Sequence, residues 1–359
     1  MAVRQQARRA IAVHSPHSGA SEQLNQALAA LQQGGVALSQ IISIAELDHR
    51  PAQGAMWRQQ HIDLVIAAGG DGLIGSVLTH IADSDLPLGI LPLGTSNDVA
   101  RSLAIPQDIA QAVEVIVLGH ERAVDVGAAR PAEQVPQNVV TSLQTPLARG
   151  DVSFFAHALT IGINASFAHV ATQAAVRERY GTLTYPVAAL EALKHLQTLK
   201  VQLHFEGVSL PSSLHLGHTA SNSFSQEALN TLQCHALLVA VINAPVFGGA
   251  WQFTFPHVRI DDGLLDIVVV QDFDRTALSS SLAAWLFGNR ESSPAAFPHA
   301  ARSHPADLIP LPGIAHIQAR GVTIATDADP QDATCDGEVR GQTPLHVQTA
   351  KKRVRVLVP

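Results

Sequence analysis

Two glycine-rich turns contain residues whose types and spacing could hold a phosphate group. The first is Gly69-Gly70-Asp71-Gly72, which follows the apolar run 62–68 and precedes a predicted helix at 74–81. The second, at 92–98 (PLGTSND), follows the apolar run 88–91. Glycine lets the backbone approach a ligand closely, and a helix N-terminus presents free N–H groups to an anion. Two such turns at neighbouring strand ends predict a phosphate-binding crevice.

Each turn also has a purely structural interpretation. The first could be a tight turn between a strand and a helix, and Asn97 or Asp98 could be the N-cap of a helix at 99–103.

Asp71 and Asp98 together suggest a metal–nucleotide site, because Mg²⁺ prefers a few carboxylates with water and phosphate oxygens. The sequence contains no GxxxxGK[ST], so a P-loop is not supported.

Two acidic turns follow later in the chain, at 259–266 (RIDDGLLD) and 336–338 (DGE). The adjacent carboxylates of Asp261 and Asp262 repel each other unless a cation or a basic partner lies beside them. Either turn could instead be an ordinary Asp-Gly hairpin turn. Glu338 could accept a hydroxyl proton if folding brings it to the phosphate crevice.

The composition predicts a globular protein of about two domains. The chain has 359 residues, of which 47 % are hydrophobic and 15 % charged, and a net charge of -7, which argues against a general nucleic-acid coat protein. Its two cysteines, Cys234 and Cys335, form neither a disulfide scaffold nor a zinc cluster, which fits a reducing compartment. Because no apolar run reaches about 18 residues, we expect a soluble protein whose membrane contact is peripheral.

The first third of the chain alternates strands and helices, which predicts a parallel, helix-covered sheet. The predicted strands are the apolar runs 10–13, 62–68, 88–91 and 123–126, and the predicted helices include 109–118. Ser21 could cap a helix that ends at Gly34-Gly35, with one apolar face formed by Leu24, Ala27, Leu28 and Leu31.

The pattern changes after Gly127 to short strands separated by Gly, Pro and Asp, which predicts a mainly antiparallel second domain. We interpret 128–151 as a loop or linker, 207–231 and 288–312 as surface insertions, and 165–179 and 185–199 as helical. The predicted strands are 154–161, 201–205, 237–243, 264–270, 314–319, 322–326, 345–348 and 354–358.

The order of the four motifs resembles the diacylglycerol kinase catalytic family, within the NAD kinase superfamily. The motifs are GGDG, PLGTSNDVAR, NAPVFGGAWQFTFPHVRIDDGLLD and DGE, followed by TPLHVQTAKKRVRVLVP. The chain is particularly similar to the soluble bacterial lipid kinases related to sphingosine and ceramide kinases, from about Ile11 to Pro359. The resemblance implies an ATP-binding, Rossmann-like parallel α/β domain at 8–127 and a lipid-binding, mainly antiparallel β-sandwich domain at 128–359. The active site would lie in the cleft between them, and the last strand, about 352–358, would return to the first domain.

The resemblance also implies the site residues. Glu338 would be the proton acceptor, with Asp336 beside it. The magnesium site would comprise Asp262, backbone oxygens of Arg259 and Leu264, and the supporting charge of Asp261. The nucleotide contacts would be Gly69, Gly70, Asp71, Gly72, Leu73, Ile74, Gly75, Thr95, Asn97, Asp98 and Ser43.

Three positions depart from the family pattern. Leu73 stands where the family has threonine, Gly75 where it commonly has asparagine, and Ser15 where it has the asparagine of NPxSG. Backbone amides can cradle a phosphate without the missing hydroxyl, so we expect nucleotide binding to survive.

The expected function is ATP- and Mg²⁺-dependent transfer of the γ-phosphate to a lipid hydroxyl, with a diacylglycerol-like acceptor. An NAD kinase-type enzyme and a catalytically inactive nucleotide- or lipid-binding relative are the alternatives. We expect a cytoplasmic protein at the inner face of the membrane, without a nucleic-acid partner, and a homodimer is left open. Basic residues near the termini could dock on anionic lipid or simply be solvated: Arg4, Arg8, Arg9, Lys351, Lys352 and Arg353.

Overall fold

The computed structural model describes the chain in nine segments. They are 8–15, 21–132, 152–162, 197–209, 230–247, 253–255, 258–272, 314–327 and 329–359. Nearly all of the predicted helices at 165–179 and 185–199, and most of the predicted insertions, lie outside the described residues. No helix in the described segments is long and apolar enough to cross a membrane.

The N-terminal sheet has the order β2-β1-β3-β4-β19-β5. Neighbouring strands are parallel except for β19 and β5, which are antiparallel. The residue Gly69, at the end of β3, is in register with Pro92 at the end of β4, so the two glycine-rich turns leave the same edge of the sheet side by side. The strands are β1 (Arg9–His14), β2 (Ala37–Ser43), β3 (Leu64–Gly69), β4 (Leu88–Pro92), β5 (His120–Val124) and β19 (Val354–Val358).

Helices pack on this sheet through faces formed by apolar residues at helical spacing in the sequence. Ala27, Leu28 and Leu31 of the first helix are buried, as its periodicity predicts. This helix ends before Gly35, whose φ of 89° is the left-handed conformation that glycine adopts without strain. The described helices are α1 (Ser21–Gln33), α2 (Ile44–Asp48), α3 (Gly54–Gln59), α4 (Asp71–Ile81), α5 (Asp98–Ser102) and α6 (Ile109–Leu118).

The C-terminal sheet is entirely antiparallel among its described strands. Its main path is β17-β16-β8-β10-β9-β15-β18-β6-β7, with β13 beside β10 and β14 beside β13. The hydroxyl of Ser153 on β7 donates to the carbonyl of Arg340 on β17 over 3.1 Å, so the two ends of the path meet and the sheet nearly closes into a barrel. The strands are β6 (Gly127–Pro131), β7 (Ser153–Phe155), β8 (Ala158–Ile161), β9 (Leu199–Glu206), β10 (Thr231–Ile242), β13 (Leu265–Gln271), β14 (Ile314–Ala319), β15 (Gly321–Thr326), β16 (Asp332–Cys335), β17 (Glu338–Gln342) and β18 (Leu345–Thr349).

The expected fold class, a parallel α/β unit followed by a mainly antiparallel β unit, is confirmed. Several local predictions were wrong. The predicted linker at 128–151 begins with strand β6, and the predicted strand at 154–161 is two strands separated by Ala156 and His157. The strand predicted at 123–126 ends at Val124, and residues 36–61 form β2, α2 and α3, which the sequence analysis did not identify. A separate two-stranded ribbon pairs β11 (Val246–Phe247) with β12 (Phe253–Thr254).

Candidate active site

The two glycine-rich turns touch through their backbones. A Cβ atom on Gly94 would lie 2.3 Å from the Cα of Gly70, so neither turn could hold its place with a larger residue at position 94. The N–H of Leu93 also donates to the carbonyl of Gly69 over 3.2 Å. In the described segments no side chain bonds the N–H groups of the first turn of α4, whose N-cap is Gly70. The N–H of Leu73 donates to the carbonyl of Gly70, whereas those of Asp71 and Gly72 are available to an anion.

Asp71 joins the first turn to the second. Its carboxylate accepts the N–H groups of Asp98 over 3.1 Å and Val99 over 2.9 Å, and so caps α5 from another part of the chain. The residue at the N-cap position of α5, Asn97, has a φ of 52° and makes no side-chain cap. Asn97 therefore occupies the N-cap position, as one interpretation of the sequence expected, but the carboxylate of Asp71 supplies the capping hydrogen bonds.

The side chain of Asn97 closes the second turn on itself. Its Oδ1 accepts the N–H of Gly94 over 2.9 Å, and its Nδ2 donates to the carbonyls of Pro92 and Gly94 and to the side chain of Gln107 over 3.0 to 3.1 Å. It is buried, whereas Thr95 at the tip of the turn is exposed. Of the residues predicted to contact nucleotide in this turn, Thr95 has the more accessible side chain.

Two of the residues that depart from the family pattern, Leu73 and Gly75, make close contacts that explain their residue type. Leu73 is buried and packs over Gly69, where a Cβ atom would lie 3.0 Å from Leu73 Cδ1. Ile74 belongs to the same apolar core. A Cβ atom on Gly75 would lie 2.9 Å from Oδ2 of Asp336, so glycine at this position lets the Asp336 carboxylate approach α4.

The acidic turn at 336–338 is the hairpin that its Asp-Gly pair predicts. Asp336 and Gly337 have φ values of 50° and 90°, and β16 and β17 are antiparallel on either side. The Asp336 carboxylate accepts three N–H groups, from Ala156, His157 and Ala158, over 2.9 to 3.1 Å. These bonds explain why the chain leaves the strand pattern between β7 and β8. Burial raises the pKa of Asp336 to about 6, and the charge of Asp71 acts in the same direction.

This hairpin places Glu338 against the first turn of α4. A Cβ atom on Gly72 would lie 2.9 Å from Oε1 of Glu338. Oε2 of Glu338 accepts a hydrogen bond from Nη2 of Arg340, which also donates to the hydroxyl of Ser76 on α4. The fold therefore brings the candidate proton acceptor from the C-terminal sheet to the glycine-rich turn of the N-terminal sheet.

The acidic turn at 259–266 is not a hairpin, because β12 pairs with β11 while β13 pairs with β10 and β14. Asp261 forms ion pairs with Arg122 at 2.7 Å and Arg259 at 3.3 Å, and the hydrogen bond from Arg122 is the main reason that its pKa is lowered. Oδ1 of Asp262 accepts the N–H of Leu264 over 3.0 Å.

Burial is the main reason that the pKa of Asp262 is raised, and the nearby charges of Asp266 and Asp125 raise it further. Oδ2 of Asp266 is buried and has no hydrogen-bond partner among the described residues. In the described segments no three His, Cys, Asp or Glu side chains form a ready metal cluster. The donor type at Asp262 nevertheless fits Mg²⁺, which commonly takes one or two carboxylates together with substrate phosphates and water.

Two residues to which the sequence analysis gave no role connect these turns. Asp125, just after β5, accepts the N–H of Gly263 over 2.6 Å and Nε of Arg353 over 2.8 Å. Asn243 is buried, and its Nδ2 donates to the carbonyls of Asp125 over 2.9 Å and Ala156 over 2.7 Å. Because Ala156 in turn bonds Asp336, the two acidic turns are linked by a continuous hydrogen-bonded path. For Asp125 the only available signal was a polar residue beside an apolar run, whereas Asn243 is the first residue of the third motif of the family resemblance.

Ser43 lies at the carboxyl end of β2, at the same edge as the glycine-rich turns. Its hydroxyl forms a capping box with Glu46: Oγ accepts the Glu46 N–H over 3.3 Å and donates to Oε2 over 2.9 Å. Hydrogen bonding by Ser43 lowers the pKa of Glu46. The Ser43 hydroxyl is therefore already engaged in starting α2.

Comparison with known proteins identifies the family. Residues 9–129 match the model of the diacylglycerol kinase catalytic domain, and residues 157–358 match that of the YegS C-terminal NAD kinase beta sandwich-like domain. A diacylglycerol kinase of Staphylococcus aureus is 23 % identical over 98 % of this chain and 93 % of its own length. A diacylglycerol kinase of Staphylococcus saprophyticus is 22 % identical over 98 % of this chain and 96 % of its own length.

The fold is also found in a solved structure. A diacylglycerol kinase crystal structure from Bacillus anthracis matches 98 % of this chain and 97 % of its own, with a TM-score of 0.58 and 19 % identity. Together the two family models cover most of the sequence, in the order in which the glycine-rich and acidic turns occur. The chain is therefore a kinase that belongs to the diacylglycerol kinase catalytic family, with a C-terminal domain of the YegS type.

Proposed function

We propose that this protein transfers the γ-phosphate of ATP to the hydroxyl group of a lipid, with a diacylglycerol-like acceptor and with Mg²⁺. The observation that carries the proposal is the position of Glu338, whose carboxylate lies against Gly72 in the first turn of α4. A general base must lie within reach of the proton that it removes, and the phosphate must lie beside the acceptor. The contact between Glu338 and α4 supports both requirements at one place.

The chain's own groups have distinct roles in this reaction. The N–H groups at the start of α4 and the exposed Thr95 bind phosphate oxygens. Asp262 would hold Mg²⁺ with the backbone oxygens of Arg259 and Leu264; when bound, the ion neutralises phosphate charge. Asp261 is better described as the partner of Arg122 and Arg259 than as a ligand. Glu338 takes the hydroxyl proton as the acceptor oxygen bonds to phosphorus and the bond to the leaving ADP oxygen breaks.

An apolar cluster beside the hairpin supports a lipid acceptor. The cluster lies on the face of β8, β10 and β13 that points away from the C-terminal core, and Phe247 packs against His157 with ring centres 4.0 Å apart. The backbone of Ala158, one of its members, exchanges hydrogen bonds with Asp336. Leu238 and Val268 are only partly covered. The cluster comprises Ala158, Ala240, Ile242 and Val258, with Leu238, Phe247, Phe255 and Val268 around them.

Two of the described basic residues near the termini are held by acidic groups of the protein. Arg353 bonds the carboxylate of Asp125 and the carbonyl of Asp261, and Lys352 lies 3.8 Å from Asp85. Lys351 is exposed, and Arg4 lies outside the described residues. We propose a peripheral contact with the membrane to which the apolar cluster and the exposed Arg9 and Lys351 both contribute.

The test is phosphorylation of lipids by the purified protein. Labelled ATP and Mg²⁺ are supplied with vesicles containing diacylglycerol, ceramide or sphingosine, and NAD is supplied in a parallel reaction. We expect labelled phospholipid, and we expect chelation of Mg²⁺ to abolish its formation until Mg²⁺ is restored. Phosphorylation of NAD alone would instead identify an NAD kinase-type enzyme. Tight ATP binding without turnover on any acceptor would identify an inactive relative.

Glu338→Gln tests the role of the base directly. We expect kcat to fall by about 10²–10⁴-fold, the usual contribution of a general base, with little change in ATP affinity. Glu114→Gln is the matched control, because Glu114 is an exposed carboxylate on α6. An unchanged rate in Glu338→Gln would remove Glu338 from the mechanism.

A further inference from the structure

Arg340 occupies an irregular position in the hairpin that carries Glu338. In the pairing of β16 with β17, Thr334 opposes Val339 and Ala333 opposes Gly341, so Arg340 is an extra residue with no partner across the ladder. Such a β-bulge redirects a side chain and is frequent beside active sites. The bulge therefore gives Arg340 a direction that regular strand pairing would not impose.

The guanidinium of Arg340 bridges the two parts of the candidate site. Its Nη2 donates to Oε2 of Glu338 and to the hydroxyl of Ser76, which is buried on α4. Ser76 is one turn beyond Gly72, about 6 Å along the helix axis. Within the described segments the hydrogen bonds of this guanidinium all involve Nη2, which leaves Nε and Nη1 as donors. The Arg340 side chain is 29 % exposed, so a ligand can reach it.

We propose that Arg340 is a further catalytic residue, whose guanidinium binds the oxygens of the phosphoryl group during transfer. This inference rests on the proposed function, since it concerns the same site. Phosphoryl transfer spreads negative charge over the equatorial oxygens of the group in flight, and a fixed guanidinium stabilises that charge. A planar fork of N–H donors also matches phosphate geometry better than an ammonium group does.

The movement of charge explains why Glu338 and Arg340 are adjacent. Before transfer, the negative partner of Arg340 is the Glu338 carboxylate. As the hydroxyl proton passes to Glu338, that carboxylate becomes neutral, while the acceptor oxygen bonds to phosphorus and the bond to the ADP oxygen breaks. The negative charge nearest to Arg340 is then on the phosphoryl oxygens. The guanidinium therefore exchanges one partner for another and neither gains nor loses a proton.

The first experiment separates binding from the chemical step. We expect Arg340→Gln to lower kcat by about 10²–10³-fold, as for the loss of one charge-stabilising donor, while the KM for ATP stays within about threefold. Arg340→Lys should retain part of the rate, because it keeps the charge and loses the fork. Arg58→Gln, at an exposed arginine on α3, is the matched control. A kcat for Arg340→Gln equal to that of the wild type would overturn the inference.

The second experiment excludes a merely structural role and does not depend on the lipid. Calorimetric titration compares the affinity for Mg·ADP with that for Mg·ADP plus aluminium fluoride, which mimics the phosphoryl group in flight. We expect Arg340→Gln to bind Mg·ADP normally and to lose the additional affinity that fluoride gives the wild type. Guanidinium added to the Arg340→Ala variant should restore part of this additional affinity. Equal weakening of both complexes would contradict the inference, whereas failure of the wild type to phosphorylate lipid would contradict only the proposed acceptor.

Discussion

Asp336 shows how one buried carboxylate can fix the geometry of a site without touching a substrate. Its two oxygens accept hydrogen bonds from the N–H groups of three successive residues, from Ala156 to Ala158. Its own N–H donates to the carbonyl of Ala158 over 2.9 Å. The hairpin that carries Glu338 is thereby fastened to the start of β8. We therefore regard Asp336 as a positioning residue and Glu338 as the residue that meets the acceptor.

This carboxylate predicts a specific pH dependence of stability. Because burial raises the pKa of Asp336 to about 6 from an ordinary 3.8, the folded state holds this proton more tightly than the unfolded state. The resulting contribution to the free energy of unfolding is complete below about pH 4 and decreases as the pH rises to about 6. Asp336→Asn cannot titrate and should lack that decrease.

The measurement is urea unfolding of both proteins between pH 4 and 8. The difference in free energy of unfolding, wild type minus Asp336→Asn, should decrease as the pH rises to about 6 and then remain level. Taking the difference cancels groups that titrate alike in both proteins. Two parallel pH profiles would show that Asp336 has an ordinary pKa in the folded protein.

Residue types alone could not predict these roles. The Asp-Gly pair at 336–337 identified the hairpin turn, because positive φ values are encoded locally. The break between β7 and β8 was missed because its cause, Asp336, lies 180 residues from Ala156 in sequence. Asp125 and Asn243 were missed for the same reason, since their partners are distant in the chain. Leu73 and Gly75 first stood out only as departures from a family pattern.

At the scale of elements, the phosphate-binding edge depends on two turns whose backbones are in contact. The register of Gly69 with Pro92 sets β3 and β4 so that Gly94 meets Gly70. Asp71 then ties α4 to the start of α5. Sequence patterns predicted both turns and their adjacency. They could not predict that a carboxylate in one turn caps the helix that follows the other.

Gly94→Ala tests this contact. A methyl group would lie 2.3 Å from the Cα of Gly70, which is backbone and cannot move aside alone. We expect the free energy of unfolding to fall by about 1–3 kcal/mol, as for overpacking, and ATP affinity to fall because the turns separate. Gly341→Ala is the control, since no described residue has an atom within 4 Å of its Cβ position. Thermal unfolding and calorimetric ATP titration measure the two effects; unchanged ATP affinity in Gly94→Ala would show that the contact does not shape the nucleotide site.

At the scale of the whole molecule, β19 makes the two sheets interdependent. It follows the last strand of the C-terminal sheet, yet it lies between β4 and β5 of the N-terminal sheet. Val354, Val356, Leu357 and Val358 are buried there. The preceding residue, Arg353, bonds Asp125 and the carbonyl of Asp261, so the return of the chain also supports the acidic turn at 259–266.

Removal of residues 354–359 should therefore prevent folding of the N-terminal sheet. Without β19, β4 loses one of its two neighbours in the sheet, the edge strand β5 is cut off from the other described strands of the sheet, and the core loses four apolar side chains. We expect loss of the cooperative thermal transition seen by circular dichroism, together with aggregation in size-exclusion chromatography. Removal of Pro359 alone, which is exposed and outside the strand, should change neither. A truncated chain that still melted cooperatively at the wild-type temperature would contradict this view.

The place of β19 has a consequence for biosynthesis. Multidomain chains usually complete their N-terminal unit while the ribosome is still translating the remainder. Here the sheet of the nascent N-terminal half gains the strand between β4 and β5 only once Val354–Val358 has left the exit tunnel. Nucleotide binding should therefore appear only after this segment has emerged, and stalled ribosomes whose chains have not yet exposed it should not retain ATP.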